Sequence, residues 1–237
     1  MKTIIVTGAA GGLGSEITRQ HLVMGDKVWA LDLKESAEIA ELSSNPNYHF
    51  IPCNIAKTEF VKDALAPVAA EIGAIDAIYA CAGIFRAAER VRLDQTNLDD
   101  CGIMYEINCV GFLRVIQQLL GNITGETAIL CVTSEAGSIS QNKRFQEYSY
   151  CMSKAAENMA CSILRNHFET LGMGTRVICM HPGWLRDAMG GKEAFNNPEQ
   201  SVTTADSAKG LIGIAMGIKD IPAEDNYMDY KRDKLTW

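Results

Sequence analysis

Four polar residues, Asn108, Ser134, Tyr150 and Lys154, have the types and spacing to move a proton at a carbonyl or an alcohol oxygen. Tyr150 and Lys154 stand four apart in a stretch with helical patterning, so their side chains share one face. An unperturbed phenol ionises near pH ~10, too high for easy exchange at neutral pH, and a cation beside it favours phenolate. Lys154 supplies that cation. Tyr148 has Met152 four residues on, which leaves Tyr150 as the candidate acid/base. Because Tyr-x-x-x-Lys also arises by chance in helices, the pair takes its meaning from its surroundings.

Ser134 follows the apolar run Ala128–Thr133. Parallel strands end at the ligand crevice, so a hydroxyl there is placed to donate to a substrate oxygen. A plain loop or cap serine is the alternative, with Ser138 as the fallback. Asn108 lies inside an apolar helical stretch, where a buried amide must be satisfied. Either it makes a structural hydrogen bond or it holds water in a proton path.

Upstream stands a glycine loop, Thr7-Gly8-Ala9-Ala10-Gly11-Gly12-Leu13-Gly14, after a β-branched run and before a helical one. In dinucleotide sites such glycines permit the turn, the approach of backbone to pyrophosphate, and the packing of helix on strand. The helix N-terminus adds free N–H groups for phosphate. Asp32, eighteen residues beyond Gly14, ends the second apolar run. A carboxylate there accepts from adenosine ribose hydroxyls and repels a 2′-phosphate. Leu33, not arginine, follows it, while Lys34 partly offsets the repulsion. The expected cofactor is NAD(H) in preference to NADP(H), with NADP(H) still open.

The elements that must position these residues alternate. Strands are expected at Lys2-Thr7, Lys27-Leu31, Tyr48-Cys53, Ala74-Ala80, Ala128-Thr133 and Thr175-Met180. Helices are expected at Ser15–Met24, Thr58–Ile72, Leu98–Leu120, Tyr150–Leu171 and Glu199–Met216. This order implies an α/β fold: a single-domain, doubly wound (Rossmann-type) parallel sheet with helices on both faces. Residues 1–237 read as one dinucleotide-binding domain. The loop-rich stretch 183–200 reads as a substrate lid, with Trp184, Met189 and Phe195 as candidate pocket walls.

Composition narrows the classes. The chain has 237 residues, 47% of them hydrophobic, enough for one domain with a sizeable core. A net charge of −7 makes nucleic acid or an anionic membrane a poor partner. No apolar run approaches the ~20 residues of a membrane span. The apolar start is short and ends in glycines, so it reads as a strand and not a signal peptide. Eight cysteines without a Cys-x-x-Cys pair then read as free thiols of a cytoplasmic protein. The four scattered histidines show no metal-ligand spacing, so no metal is expected.

Taken together, these residues resemble the classical short-chain dehydrogenase/reductase family over essentially the whole chain. The matching pieces are Thr7-Gly8-x-x-x-Gly12-x-Gly14, Asn108, Ser134, Tyr150-x-x-x-Lys154 and Pro182-Gly183. The segment His181–Gly191, Ser134-x-x-Gly137-Ser138-Ile139 and Leu235-Thr236-Trp237 look closest to the C-factor and sniffer-type carbonyl reductase branch. The resemblance implies Tyr150 as acid/base, Lys154 as ribose contact and electrostatic partner, Ser134 as carbonyl orienter and Asn108 as proton relay. It implies a cofactor site formed by Gly8, Gly12, Leu13, Gly14, Asp32, Asn54, Ala82, Gly83, Tyr150, Lys154, Pro182 and Gly183. The implied activity is NAD(P)(H)-dependent interconversion of a small carbonyl and a secondary alcohol. A signalling protein that binds a dinucleotide with little turnover is the alternative, and family members pair into homodimers or homotetramers. Three positions depart from the family pattern: Ala80-Cys81 replaces two amides, Asn54 replaces an aspartate, and Asp187-Ala188 stands where a hydroxyl is common.

Overall fold

In a computed structural model, the structure describes residues 1–237 except Ala87, Glu89, Asp187, Ala188 and Gly190. Seven parallel strands form one sheet: β1 (Thr3–Thr7), β2 (Lys27–Asp32), β3 (Tyr48–Pro52), β4 (Ala77–Ala80), β5 (Ala128–Val132), β6 (Arg176–His181) and β7 (Tyr227–Asp229). Their spatial order is β3-β2-β1-β4-β5-β6-β7. The chain therefore winds outward from β1 in both directions, and the crevice is expected at the β1/β4 switch point, beyond the C-terminal ends of these paired strands.

The strands are apolar on both faces because both faces are covered. Ile4 and Val6 of β1 pack with α1 (Gly12–Val23) and α8 (Thr204–Met216). Ile5 points the other way, into a core shared with α3 (Thr58–Glu71), α5 (Gly111–Leu119) and α6 (Tyr148–Thr170). In β5, Ala128, Leu130 and Val132 join the first core, while Ile129 and Cys131 join the second. Three short helices complete the order: α2 (Ala37–Ala40), α4 (Asp100–Tyr105) and α7 (Gly191–Phe195).

The expected doubly wound sheet is present; beside the unexpected short helices α2 and α7, the latter within the stretch 183–200, three differences from the sequence reading stand out. First, the expected helix over Leu98–Leu120 is interrupted: α4 and α5 flank one π turn at Glu106–Val110, which contains Asn108. Second, the last helix starts at Thr204, not Glu199. Thr203 caps it by accepting from Asp206 N–H, and Val202 bridges to Leu185. Third, β7 was not expected. Its three residues, Tyr227-Met228-Asp229, are too few to show a period.

Candidate active site

The site lies along the C-terminal ends of the strands, in a cleft of about 1080 Å3. At one end is the glycine loop. A Cβ on Gly14 would stand 2.2 Å from the Gly8 carbonyl oxygen, and one on Gly8, at φ +68°, would stand 2.8 Å from Ala82 backbone. Loop, helix and β4 are thus packed at distances no side chain fits. Gly8, Gly12, Leu13, Gly14, Asp32, Asn54, Ala82 and Gly83 all line the cleft, with Pro182 and Gly183 farther along. The backbone N–H groups of α1's first turn face it with no side-chain cap. These features fit a dinucleotide phosphate.

The side chains at this end are already engaged by backbone. Asp32 accepts from Ala10 N–H at 2.9 Å and from Leu33 N–H at 2.7 Å, so its carboxylate braces the loop while lining the cleft. Asn54 accepts from Ala56 N–H at 3.1 Å. Next to Ala80-Cys81, Thr7 Oγ1 accepts from Ala82 N–H at 3.1 Å. The Pro182 carbonyl accepts from Ser207 Oγ at 2.7 Å. The departure at Asp187-Ala188 lies outside the described residues.

At the other end Ser134, Tyr150 and Lys154 come together. Ser134 follows β5, is buried, and holds its own loop by accepting from Ala136 N–H at 3.1 Å. Its hydroxyl is near enough to the Tyr150 phenol to favour the phenolate. Tyr150 packs edge-on against Phe85, with centroids 5.0 Å apart. Lys154 Nζ lies 6.0 Å from the Tyr150 ring centre and donates to the Val132 carbonyl at 2.9 Å.

The phenol differs from the sequence expectation. Burial pushes its pKa up, and the opposing pulls of Lys154 and the Ser134 hydroxyl do not overcome it. The cation acts in the expected sense, but desolvation of the anion is the larger effect. Tyr150 therefore holds its proton here.

Both ends of the Asn108 amide are engaged, with one lone pair of Oδ1 left over. Its Nδ2 donates to the Ile84 carbonyl and to Ser153 Oγ, both at 3.0 Å, and its Oδ1 accepts from Ile84 N–H at 2.7 Å. Of the two readings the sequence left open, the structural hydrogen bond is present, joining the loop after β4 to α6. Gly83 lies against both Asn108 and Lys154: a Cβ there would stand 3.4 Å from Asn108 Oδ1 and 3.6 Å from Lys154 Nζ.

Several site residues were missed from sequence. Glu157 is buried and accepts from Lys154 Nζ at 2.7 Å. The signal was present: Tyr150, Lys154 and Glu157 follow the 0, 4, 7 spacing of one helical face. At the mouth, Glu147 is buried at φ +65° just before α6 and is held by Arg90 and Arg144. Arg90 also pairs with Glu193 of α7, and Arg144 with Glu135. Trp184 and Met189 line the cleft as expected; Phe195 does not, being 69% exposed. All eight cysteines are free. Among the described residues, no cluster of three or more ligating side chains could hold a metal, and no helix is long and apolar enough to cross a membrane.

The family model for the short chain dehydrogenases matches residues 2–197. The chain belongs to that family. It is accordingly an oxidoreductase acting on CH–OH or C=O groups. One relative is the 1-hydroxy-2-glutathionyl-2-methyl-3-butene dehydrogenase of Rhodococcus sp. (strain AD45), 31% identical over 90% of this chain and 89% of its own. Among solved structures, the carbonyl reductase Sniffer of D. melanogaster superposes with a TM-score of 0.85 at 18% identity over the full length of both chains. A short-chain dehydrogenase/reductase from Burkholderia multivorans, with bound NADP, gives 0.82 at 22% identity, covering 100% of this chain and 99% of that one. At such identities these two likenesses speak for the fold.

Proposed function

We propose that this short-chain dehydrogenase interconverts a small or medium carbonyl and a secondary alcohol with a nicotinamide dinucleotide, using Tyr150 as acid/base. The observation that carries this reading is the grouping of Ser134, Tyr150 and the buried Lys154 ammonium in the same cleft as a glycine cradle. When bound, the nicotinamide supplies the hydride in reduction and accepts it in oxidation. In reduction, Tyr150 gives its proton to the carbonyl oxygen while Ser134 donates a hydrogen bond to the same atom. Lys154 stabilises the phenolate that remains. Asn108 fixes Ser153 and the loop at Ile84, and its relay role belongs to the same proposal. Residues 1–237 act as one unit in this reading, and 183–200 closes over the substrate. The free thiols fit a reduced, cytoplasmic setting.

Tyr150→Phe should lower kcat roughly 10²–10⁴-fold, the range of general acid–base catalysis. Dinucleotide affinity by calorimetric titration should be little changed. A carbonyl and alcohol panel followed through nicotinamide absorbance provides the rates. Near-normal kcat in the variant would sink the assignment. Tight dinucleotide binding without turnover across the panel would favour the signalling alternative.

For cofactor choice the proposal is NAD(H) over NADP(H), supported by the Asp32 carboxylate lining the cleft. Asp32→Ala should weaken NAD(H) by roughly 1–3 kcal/mol, the scale of charge-assisted hydrogen bonds, and improve NADP(H) relative to it. Paired kcat/KM values for both cofactors decide this. A parent that already prefers NADP(H) refutes the preference.

A further inference from the structure

Behind the site a charge pair is buried. Lys154 and Glu157 side chains are 5% and 2% exposed, with Nζ and Oε2 2.7 Å apart. The other titratable groups that feel the carboxylate are neutral acids: Tyr150 on the same helix, Cys81 after β4, Cys109 in the π turn and Cys131 on β5. A lysine this buried tends to lose its proton unless a counter-ion is at hand. The Val132 carbonyl accepts one of its N–H groups but brings no charge. Glu157 brings the charge, and it fixes a second donor on the side of Lys154 away from substrate.

We propose that Glu157 is a positioning residue that keeps Lys154 protonated and in place for Tyr150. The proposal rests on the reading of Tyr150 and Lys154 given above. Without the carboxylate, a proton on Lys154 and a negative charge on Tyr150 become harder to hold together. The neutral pair, phenol and amine, carries the same number of protons and needs no counter-ion. The site would drift to that neutral pair and lose the cation that stabilises phenolate during turnover.

The variants Glu157→Gln and Glu157→Asp separate charge from shape. Gln keeps the length and an acceptor oxygen; Asp keeps the charge on a shorter arm. If charge matters, Asp retains more kcat than Gln. At alkaline pH, Glu157→Gln should lose roughly tenfold or more in kcat, since each pH unit above the lysine's lowered pKa removes a factor of ten in ammonium. KM should change much less. The deficit should shrink as pH falls: Lys154 regains its proton, and the parent's own Glu157, pushed up to about 7 chiefly by burial, takes one too. A deficit constant across pH, or Gln outperforming Asp, overturns the proposal.

A readout without turnover keeps this test apart from the fate of the enzymatic reading. In 15N-lysine-labelled protein, the Lys154 Nζ signal is assigned by its loss in Lys154→Arg. In Glu157→Gln its ammonium form should disappear at least one pH unit lower than in the parent; an unshifted midpoint overturns the proposal even if no substrate is ever found. Should Glu157→Gln fail to fold, the parent suffices. Its Lys154 nitrogen should shift in the step in which Glu157, followed through its own 13C carboxyl signal, gains a proton; a Lys154 nitrogen blind to that step overturns the proposal.

Discussion

The cleft carries two sets of ion pairs that differ in their access to water. The inner pair, Lys154–Glu157, is dry, and its members have no water to replace a lost partner. The mouth set runs Glu193–Arg90–Glu147–Arg144–Glu135, and all but Glu147 are a third or more exposed. Coulomb energy at a given distance falls as the surrounding dielectric rises, and exposed pairs are screened by salt as well. The same residue types therefore do different work. The inner pair sets the charge that Tyr150 experiences. The mouth set ties together four segments that reach the opening: the loop carrying Arg90, the turn after β5 carrying Glu135, the start of α6, and α7.

The sharpest way to break the comparison is to remove one inner charge. Lys154→Met leaves Glu157 buried without a cation. Breaking a buried pair costs about 3–5 kcal/mol when the remaining charge cannot escape, but a carboxyl escapes by taking a proton. Burial already raises its pKa to about 7 in the folded protein with Lys154 present, and removing the cation raises it further. A raised carboxyl pKa means stability that is fully present below the unfolded value and lost as pH rises through the folded one. The Tm difference between parent and variant should thus be small at pH 5 and widen above pH 7. Turnover should be lost at every pH. A Tm gap independent of pH would show that Glu157 is not the group being stranded.

How much of this was legible beforehand depended on how local the cause is. The strands were readable because both faces of the sheet are covered, so each appears as a run of apolar residues such as Thr3–Thr7. Gly8, Gly14, Ser134, Tyr150 and Lys154 were readable because their spacing repeats a mechanical requirement. The π turn at Asn108 was not, since its cause is tertiary: one amide bonds to Ile84 and Ser153, 24 and 45 residues away. β7 is held by its register with Cys179-Met180-His181 and not by its own pattern. Glu157 was visible as a residue, but a glutamate on a long helix reads as solvent-facing. Only the packing of α6 against the sheet reveals that this face is interior. The Tyr150 proton was misjudged for the same reason. Sequence supplies the cation, but only the fold supplies the depth of burial.

The smallest expected effect lies at the mouth. Glu193 is 64% exposed and touches the network only through Arg90, which keeps Glu147 as a second partner at 3.1 Å. Glu193→Gln removes a charge that water and salt largely screen, so stability should change by less than about 1 kcal/mol. Arg90 remains anchored, and Glu147 still holds Arg144, so kcat should stay near the parent's. What should change is the tether of α7 to the opening, seen as a modest rise in substrate KM at low ionic strength that fades as salt is added. Steady-state kinetics from low to high salt provide the check. A large loss of kcat in Glu193→Gln would mean that the outer set also acts on the chemistry, and the contrast between dry and wet pairs would fail.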